Sequence, residues 1–390
     1  MKLWRSLTLC VGLAVLSPWL YDIFRILKIL VDNVPGNISE VTPLSSYEIR
    51  FADHMRNCED VVLDTKSGVA IVSCSPGRDK WNTVMGHYMD PNEHGSLYLY
   101  RYADAPNEPP VLIPLDGFDA PFHPLGLTYH SESQTLAVTN HGGETATIEI
   151  FSLDLEAPRA TLRQTVSDPA NLPTPNSLVF LNSTHLYASN THRTGTFTMP
   201  KTLLDHLRVW LSVIELRLAI PAGSVSLVDL QTGTATRILQ IGFGNGIDLI
   251  DDGHTLAVVS TIKAAVYLYS IADNEPTRLT YLRRFTVPFF PDNLSVDAKG
   301  RILVAGHPHT KALGKMVRGN WRCHSGEPEY CSSAPSWVIE WDPAAEPTVA
   351  SSDIYVGNSY ASSSSVVRDV DRNFIIVSGL YADGLFILKN

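Results

Sequence analysis

Asp251-Asp-Gly-His-Thr-Leu-Ala-Val-Val259 is a polar turn that runs straight into apolar, β-rich residues. The same phrase occurs earlier as Asp64-Thr-Lys-Ser-Gly-Val-Ala-Ile-Val72, Ser131-Glu-Ser-Gln-Thr-Leu-Ala-Val138 and Asn182-Ser-Thr-His-Leu-Tyr-Ala-Ser189. It returns as Asp297-Ala-Lys-Gly-Arg-Ile-Leu-Val-Ala305 and Val370-Asp-Arg-Asn-Phe-Ile-Ile-Val377. In each copy the turn formers reverse the chain and the residues after them favour a strand. Each is followed by an alternating run: Gly95-Ser-Leu-Tyr-Leu-Tyr100, Ala146-Thr-Ile-Glu-Ile-Phe151, Gly223-Ser-Val-Ser-Leu-Val228, Ala265-Val-Tyr-Leu-Tyr269, Ser336-Trp-Val-Ile-Glu-Trp341 and Gly384-Leu-Phe-Ile-Leu388. Six such units predict an all-β, six-bladed β-propeller over residues 45–390. Two β-sandwiches would not place six repeats in one phase. Tyr47-Glu-Ile-Arg50 is a candidate strand for the last blade, which would close the ring.

Two segments depart from the repeat. From Thr202 to Ala219 the residues Leu203, Leu204, Leu207, Trp210, Leu211, Ile214 and Leu218 fall at helical spacing. The expectation is an inserted amphipathic helix packed over the propeller top, with a membrane-facing helix as the alternative. Residues 1–31 begin with Lys2 and Arg5 before an apolar run from Leu7 to Leu20. They read as a signal peptide or signal anchor, continued by an amphipathic interfacial helix in which Asp22, Arg25 and Lys28 interrupt apolar neighbours. The expected location is the secretory pathway, with the protein secreted or anchored by an uncleaved N-terminal segment; a membrane or lipid surface is a candidate partner. Sequons at Asn37 and Asn182 agree with that route. Cys58 with Cys74, and Cys323 with Cys331, would close two short disulfide loops in an oxidising compartment; the alternative is four free buried thiols. A net charge of −10 without a basic stripe excludes nucleic acid as a partner.

Polar residues recur just upstream of the turns. Glu59-Asp60, Asn176-Ser177, Asn245 and Asp292-Asn293 each sit among strand residues such as Val61, Val179, Ile247 and Leu294. Carboxylates and carboxamides in apolar strands are costly unless satisfied. In a propeller the innermost strands line one channel, so these residues would converge there. Glu59, Asn176, Asn245, Asp292 and Asn293 offer oxygen ligands alone, two of them anionic, a set suited to calcium rather than zinc.

The segments Cys58-Glu-Asp-Val-Val62, Phe122-His-Pro-Leu-Gly-Leu127, Val138-Thr-Asn-His141, Pro175-Asn-Ser177, Phe243-Gly-Asn-Gly-Ile247, Pro291-Asp-Asn-Leu-Ser-Val-Asp297 and Gly306-His-Pro308 resemble, in order and spacing, the motifs of the serum paraoxonase/arylesterase family. The resemblance implies a catalytic calcium on Glu59, Asn176, Asn245, Asp292 and Asn293. It implies a second, structural calcium on Asp60, the carbonyl of Leu127, and Ser177. The family carries an aspartate where Ser177 stands, so the second site has lost an anionic ligand and its ion is in question. The family's histidine dyad falls on Leu125 and His141, and leucine cannot take a proton. His123, two residues from Leu125, is a candidate replacement if the strand is regular. The family's terminal disulfide falls near Glu48 and Leu388, neither of them cysteine, which leaves ring closure to strand pairing.

The expected activity is hydrolysis of a small-molecule ester or lactone, with calcium stabilising the oxyanion and His141 or Glu59 as general base. The rival readings are a calcium propeller of non-hydrolytic chemistry and a binding scaffold. No Gly-x-Ser-x-Gly elbow is present, and Ser362-Ser-Ser-Ser365 reads as loop filler. Gly242-Phe-Gly-Asn-Gly246 lacks the helix a dinucleotide site requires.

Overall fold

The computed structural model describes residues 2–43, 46–345 and 351–389, with side chains from residue 17 onward; most of the Leu7–Leu20 run therefore lies outside the described side chains. Six sheets of antiparallel strands form the blades, the second extended by a short parallel strand, Leu115–Asp116. Their innermost strands are Cys58–Asp64, Pro124–His130, Pro175–Asn182, Gly244–Ile250, Phe290–Val296 and Ser363–Asp369. Each of these touches the next, and the last touches the first, so they enclose a central channel. The six turn phrases join the first two strands of each blade, and the six alternating runs are the third strands.

Ring closure joins the two ends of the chain. Ser46–Arg50 pairs with Leu385–Lys389 in register from Ser46↔Lys389 to Arg50↔Leu385. The sixth blade is thus built from both termini, held by strand pairing. Apolar clusters fill the spaces between blades: Leu97 and Leu99 of the first pack with Leu136 and Phe151 of the second. Each such fully buried side chain contributes about 1.5–3 kcal/mol. Two glycines let the channel strands approach. A Cβ on Gly126 would lie 2.3 Å from the Asn176 carbonyl oxygen, and one on Gly246 would lie 2.4 Å from the Leu294 nitrogen. Both therefore set the backbone beside residues of the predicted cation cage.

The serine run is not loop filler. Ser363–Asp369 is the channel strand of the sixth blade, and Ser362 to Ser365 are fully buried. Their hydroxyls satisfy neighbouring strands: Ser363 donates to the Gly306 carbonyl, Ser364 to that of Glu59, and Ser365 to the Asp60 carboxylate.

Three helices accompany the blades among the described residues. Helix α1, Lys2–Asp32, is docked by one face of its second half. Asp22 is buried and pairs with Lys263 at 3.2 Å and Arg284 at 3.1 Å. Arg25 donates to the carbonyls of Lys263 and Ala264, Ile29 is buried, and the Asn33 amide donates to the Pro288 carbonyl. Trp19, Phe24, Leu27 and Val31 are exposed on the other face. Helix α2, Leu203–Arg217, starts in a capping box between Thr202 and Asp205. It lies over the third blade, where His192 contacts Glu215 at 3.0 Å. Its apolar stripe faces outward rather than packing onto the propeller: Leu203 is 87% and Trp210 61% exposed. Arg208, Val209 and Ser212 take the inner side. The Trp19 indole donates to the Leu218 carbonyl, which joins the two exposed apolar faces.

Helix α3, Thr310–His324, was not among the helices expected from sequence. Gly314 and Gly319 weaken its pattern, but Leu313, Met316 and Val317 are buried and His309 caps its start. Both disulfides form, Cys58–Cys74 and Cys323–Cys331, as suits an oxidising secretory route. Among the described residues no helix is long and apolar enough to cross a membrane. Asn37 and Asn182 are exposed, whereas the third formal sequon is closed because Asn293 is 1% exposed.

Candidate active site

Glu59, Asn176, Asn245, Asp292 and Asn293 meet at one end of the channel, and all are buried. They come from the innermost strands of blades one, three, four and five. The Asn245 amide donates to Asp292 Oδ1 at 2.6 Å and to Thr261 Oγ1 at 3.1 Å. The Asn293 amide donates to Glu59 Oε1 at 2.9 Å. These bonds engage the amide nitrogens, two of them with the cage carboxylates, and leave the amide oxygens free. Glu59 Oε2, Asn176 Oδ1, Asn245 Oδ1 and Asn293 Oδ1 are all buried without a partner. Buried acceptors are almost always satisfied, so four orphaned oxygens from the predicted cage fit a hard cation. Among the described residues no three His, Cys, Asp or Glu side chains are grouped to hold a metal; a cation here would rest on carboxamides as much as on carboxylates. Burial, reinforced by Asp60 and Asp292, pushes the Glu59 carboxyl well above the usual carboxylate range. A bound cation would reverse that cost.

The cage forms the floor of a cleft of about 490 Å3. Its walls are largely apolar, with Ile26 and Leu30 from α1, Leu216 from α2, and Phe243 and Ile262 from the fourth blade. Its polar floor also includes Arg78, Asn82 and His307. Leu125 lines this cleft, but His123 and His141 do not.

His123 stands one residue before its strand begins at Pro124, and it lines a small cavity together with Leu125 and His141. Its Nε2 contacts the Pro91 carbonyl at 3.0 Å. His141 is 2% exposed. A carbonyl can only accept, so Nε2 of His141 donates to Pro175 O at 2.8 Å, and Nδ1 accepts from the Thr83 hydroxyl at 2.7 Å. Burial pushes His141 down to about 3 and His123 down to about 4. Both rings are neutral and poor proton acceptors near neutral pH.

His307 differs from them in lining the cleft. Its Nε2 lies 3.0 Å from Asp292 Oδ2, and its Nδ1 is buried without a partner. The first blade contributes Arg78 from the turn Pro76–Asp79. Asp79 braces that turn by accepting from Arg56 at 2.5 Å, Asn57 at 2.8 Å and Asn320 of α3 at 2.7 Å.

At the other end of the channel, Asp60, Leu127 and Ser177 border an opening of about 630 Å3 together with Asp248. Asp60 Oδ1 accepts from the Val61 N–H and the Ser365 hydroxyl, and Oδ2 accepts from the Leu127 N–H at 3.0 Å. Asp248 accepts two backbone N–H groups, from Leu249 and Val296. Burial pushes Asp60 up to about 6 and Asp248 up to about 7, against these donors.

A propeller of the same topology is common among solved structures. A gluconolactonase from Xanthomonas campestris superposes with a TM-score of 0.52 at 13% identity, covering 90% of this chain and 93% of its own. The calcium-binding protein regucalcin of Agrobacterium tumefaciens does so with a TM-score of 0.50 at 14% identity, covering 90% and 95%. At that identity they speak for the fold alone. In sequence, the chain is 26% identical to serum paraoxonase/arylesterase 2 of Rattus norvegicus over 312 residues, 77% of this chain and 78% of the relative. The profile of the arylesterase family matches residues 87–317, a span that carries Asn176, Asn245, Asp292, Asn293 and His307. With that match over more than half its length, and three of the four orphaned oxygens on matched strands, the chain belongs to the arylesterase family.

Proposed function

We propose that this chain hydrolyses esters or lactones with apolar bodies, in the cleft between α1 and α2, with calcium held by Glu59, Asn176, Asn245, Asp292 and Asn293. The observation that carries the reading is the set of four buried oxygens without partners, each from a different residue of the expected cage. When bound, the cation supplies fixed positive charge to the oxygen that turns anionic as the carbonyl is attacked.

The side chains around it divide the remaining work. Ile26, Leu30, Leu216 and Phe243 bind the apolar part of the substrate and exclude water. Asp292 accepts from His307 Nε2, which fixes the tautomer and leaves Nδ1 of His307 as the proton acceptor for an attacking water. In this reading the base is His307 rather than His141 or Glu59. His141 becomes a positioning residue: it holds the carbonyl of Pro175, whose neighbour is Asn176, while Thr139 holds the Asn176 carbonyl at 3.0 Å. Glu59 orients Asn293 through a 2.9 Å hydrogen bond.

The full chain should be assayed with phenyl acetate and a medium-chain lactone, in calcium and then in excess chelator. Turnover that needs calcium and is lost in His307→Gln supports the reading. Turnover that survives both chelation and Asp292→Ala would overturn it.

We also propose that the outer faces of α1 and α2 rest on a lipid surface. The Trp19–Leu218 bond joins the two helices, and Trp19, Phe24 and Leu27 on one and Leu203, Leu207 and Trp210 on the other are all exposed. Exposed apolar area of this kind marks an interaction site. Co-flotation with phosphatidylcholine vesicles, reduced in Trp210→Glu, is the expected result; no flotation of the full chain would end the proposal.

A further inference from the structure

Arg78 is the buried charged group of the cleft that the proposed reaction does not use; Arg217 of α2 also lines the cleft but is exposed. It is 3% exposed. Among the described residues its guanidinium reaches a single acceptor, the Pro124 carbonyl, at 3.0 Å from Nη2. Its Nε is buried without a partner, and no described carboxylate lies within ion-pair distance. A buried cation without a paired anion is expensive. The structure nevertheless invests in holding it there. Gly77 allows the turn before it, since a Cβ would lie 1.9 Å from the Glu93 carbonyl oxygen. Asp79, the next residue, is fastened by Arg56, Asn57 and Asn320, and the Tyr381 hydroxyl borders the Arg78 carbonyl.

We propose that Arg78 forms an anion-binding subsite in the active cleft, so that the preferred substrate carries a carboxylate beside its ester or lactone group. Three facts point the same way. The guanidinium lines the same cleft as Glu59 and Asp292. Its spare donors form a planar fork matched to a carboxylate. With a divalent cation on the cage, the two cage carboxylates are neutralised and the charge of Arg78 is left over. The apolar walls then take the body of the ligand, and its acid group lies at the floor. This deepens the hydrolase reading by naming a substrate class, but anion binding does not itself require turnover.

The test separates the two. The full chain, with calcium, is titrated with 4-phenylbutyrate and with its neutral amide, 4-phenylbutanamide; binding is read by thermal shift and calorimetry. Wild type should bind the acid at least tenfold more tightly, and Arg78→Gln should erase that difference. Arg78→Lys keeps the charge but not the fork and should fall between; it also serves if the glutamine variant does not fold. In parallel, kcat/KM is measured for 4-carboxyphenyl acetate and 4-methylphenyl acetate. The ratio of the two should fall at least tenfold in Arg78→Gln. Equal binding of acid and amide by wild type would overturn the subsite. So would a loss in Arg78→Gln that is the same for both ligands and both esters. Selective acid binding without turnover of either ester would sink the hydrolase reading and leave the subsite standing.

Discussion

Glu59 and Asp60 are neighbours on one strand, both buried at 6% exposure or less, yet they serve opposite ends of the channel in opposite ways. Asp60 has every oxygen engaged by the protein: Val61, Leu127 and Ser365 donate to it. Glu59 keeps one oxygen bare, as do Asn176, Asn245 and Asn293 beside it. At Asp60, at the lower end, hydrogen bonds from the protein fill the carboxylate; at Glu59, at the upper end, they leave an oxygen bare, and it is these unmade bonds, gathered from four residues, on which the proposed cation rests.

Breaking the upper end should have the largest effect. Asn245→Ala removes a bare oxygen and the donor that steers Asp292; activity should fall about a hundredfold or more, with calcium affinity falling alongside in direct titration. At the lower end the loss should be of stability. Asp60→Ala strands the donors of Leu127, Val61 and Ser365 and should cost about 3 kcal/mol in denaturant unfolding. That cost should be the same with and without calcium. A calcium-dependent cost would mean that the two ends are not so different.

Ser177→Asp sharpens the contrast. It restores the carboxylate that the lower end lacks, and calcium stoichiometry by calorimetry should rise from one to two per chain. The smallest effect concerns the brace behind Arg78. His324 is raised to about 9, chiefly by Asp383 and then by Asp79. A folded value above the ordinary 6.5 means the pair stabilises fully below about pH 6.5. That stabilisation should fade as pH rises through 9, and His324→Gln should flatten the slope of melting temperature between those limits.

The blades were legible because turn residues and period-two alternation are local signals, and all six copies of each fell on strands. The cage was legible because a carboxamide or carboxylate among apolar strand residues is costly until something engages it. His307 was legible only as part of the Gly306-His-Pro308 motif, without a role. Its link to Asp292 spans a hairpin in which Phe290 faces His307 and Pro291 faces Gly306, and that register gives it its partner. Ser362–Ser365 misled by composition: four serines resemble a linker, yet Ser363, Ser364 and Ser365 donate to neighbouring strands and Ser362 accepts from the Tyr381 N–H of a turn. The periodicity of α2 located its apolar stripe but could not say which side the propeller would cover. Arg78 carried no local signal, since its environment is set by Asp79 and by α3, some 240 positions away.

The pairing of Ser46–Arg50 with Leu385–Lys389 also fixes an order of events during synthesis. Ser46–Arg50 has no pairing partner among the described strands until Leu385–Lys389 is in place, although the channel strands of the first and sixth blades already meet. A truncation that removes only Leu385–Lys389 would therefore keep the ring of channel strands and leave two bare edges, on Ser46–Arg50 and on Phe374–Gly379.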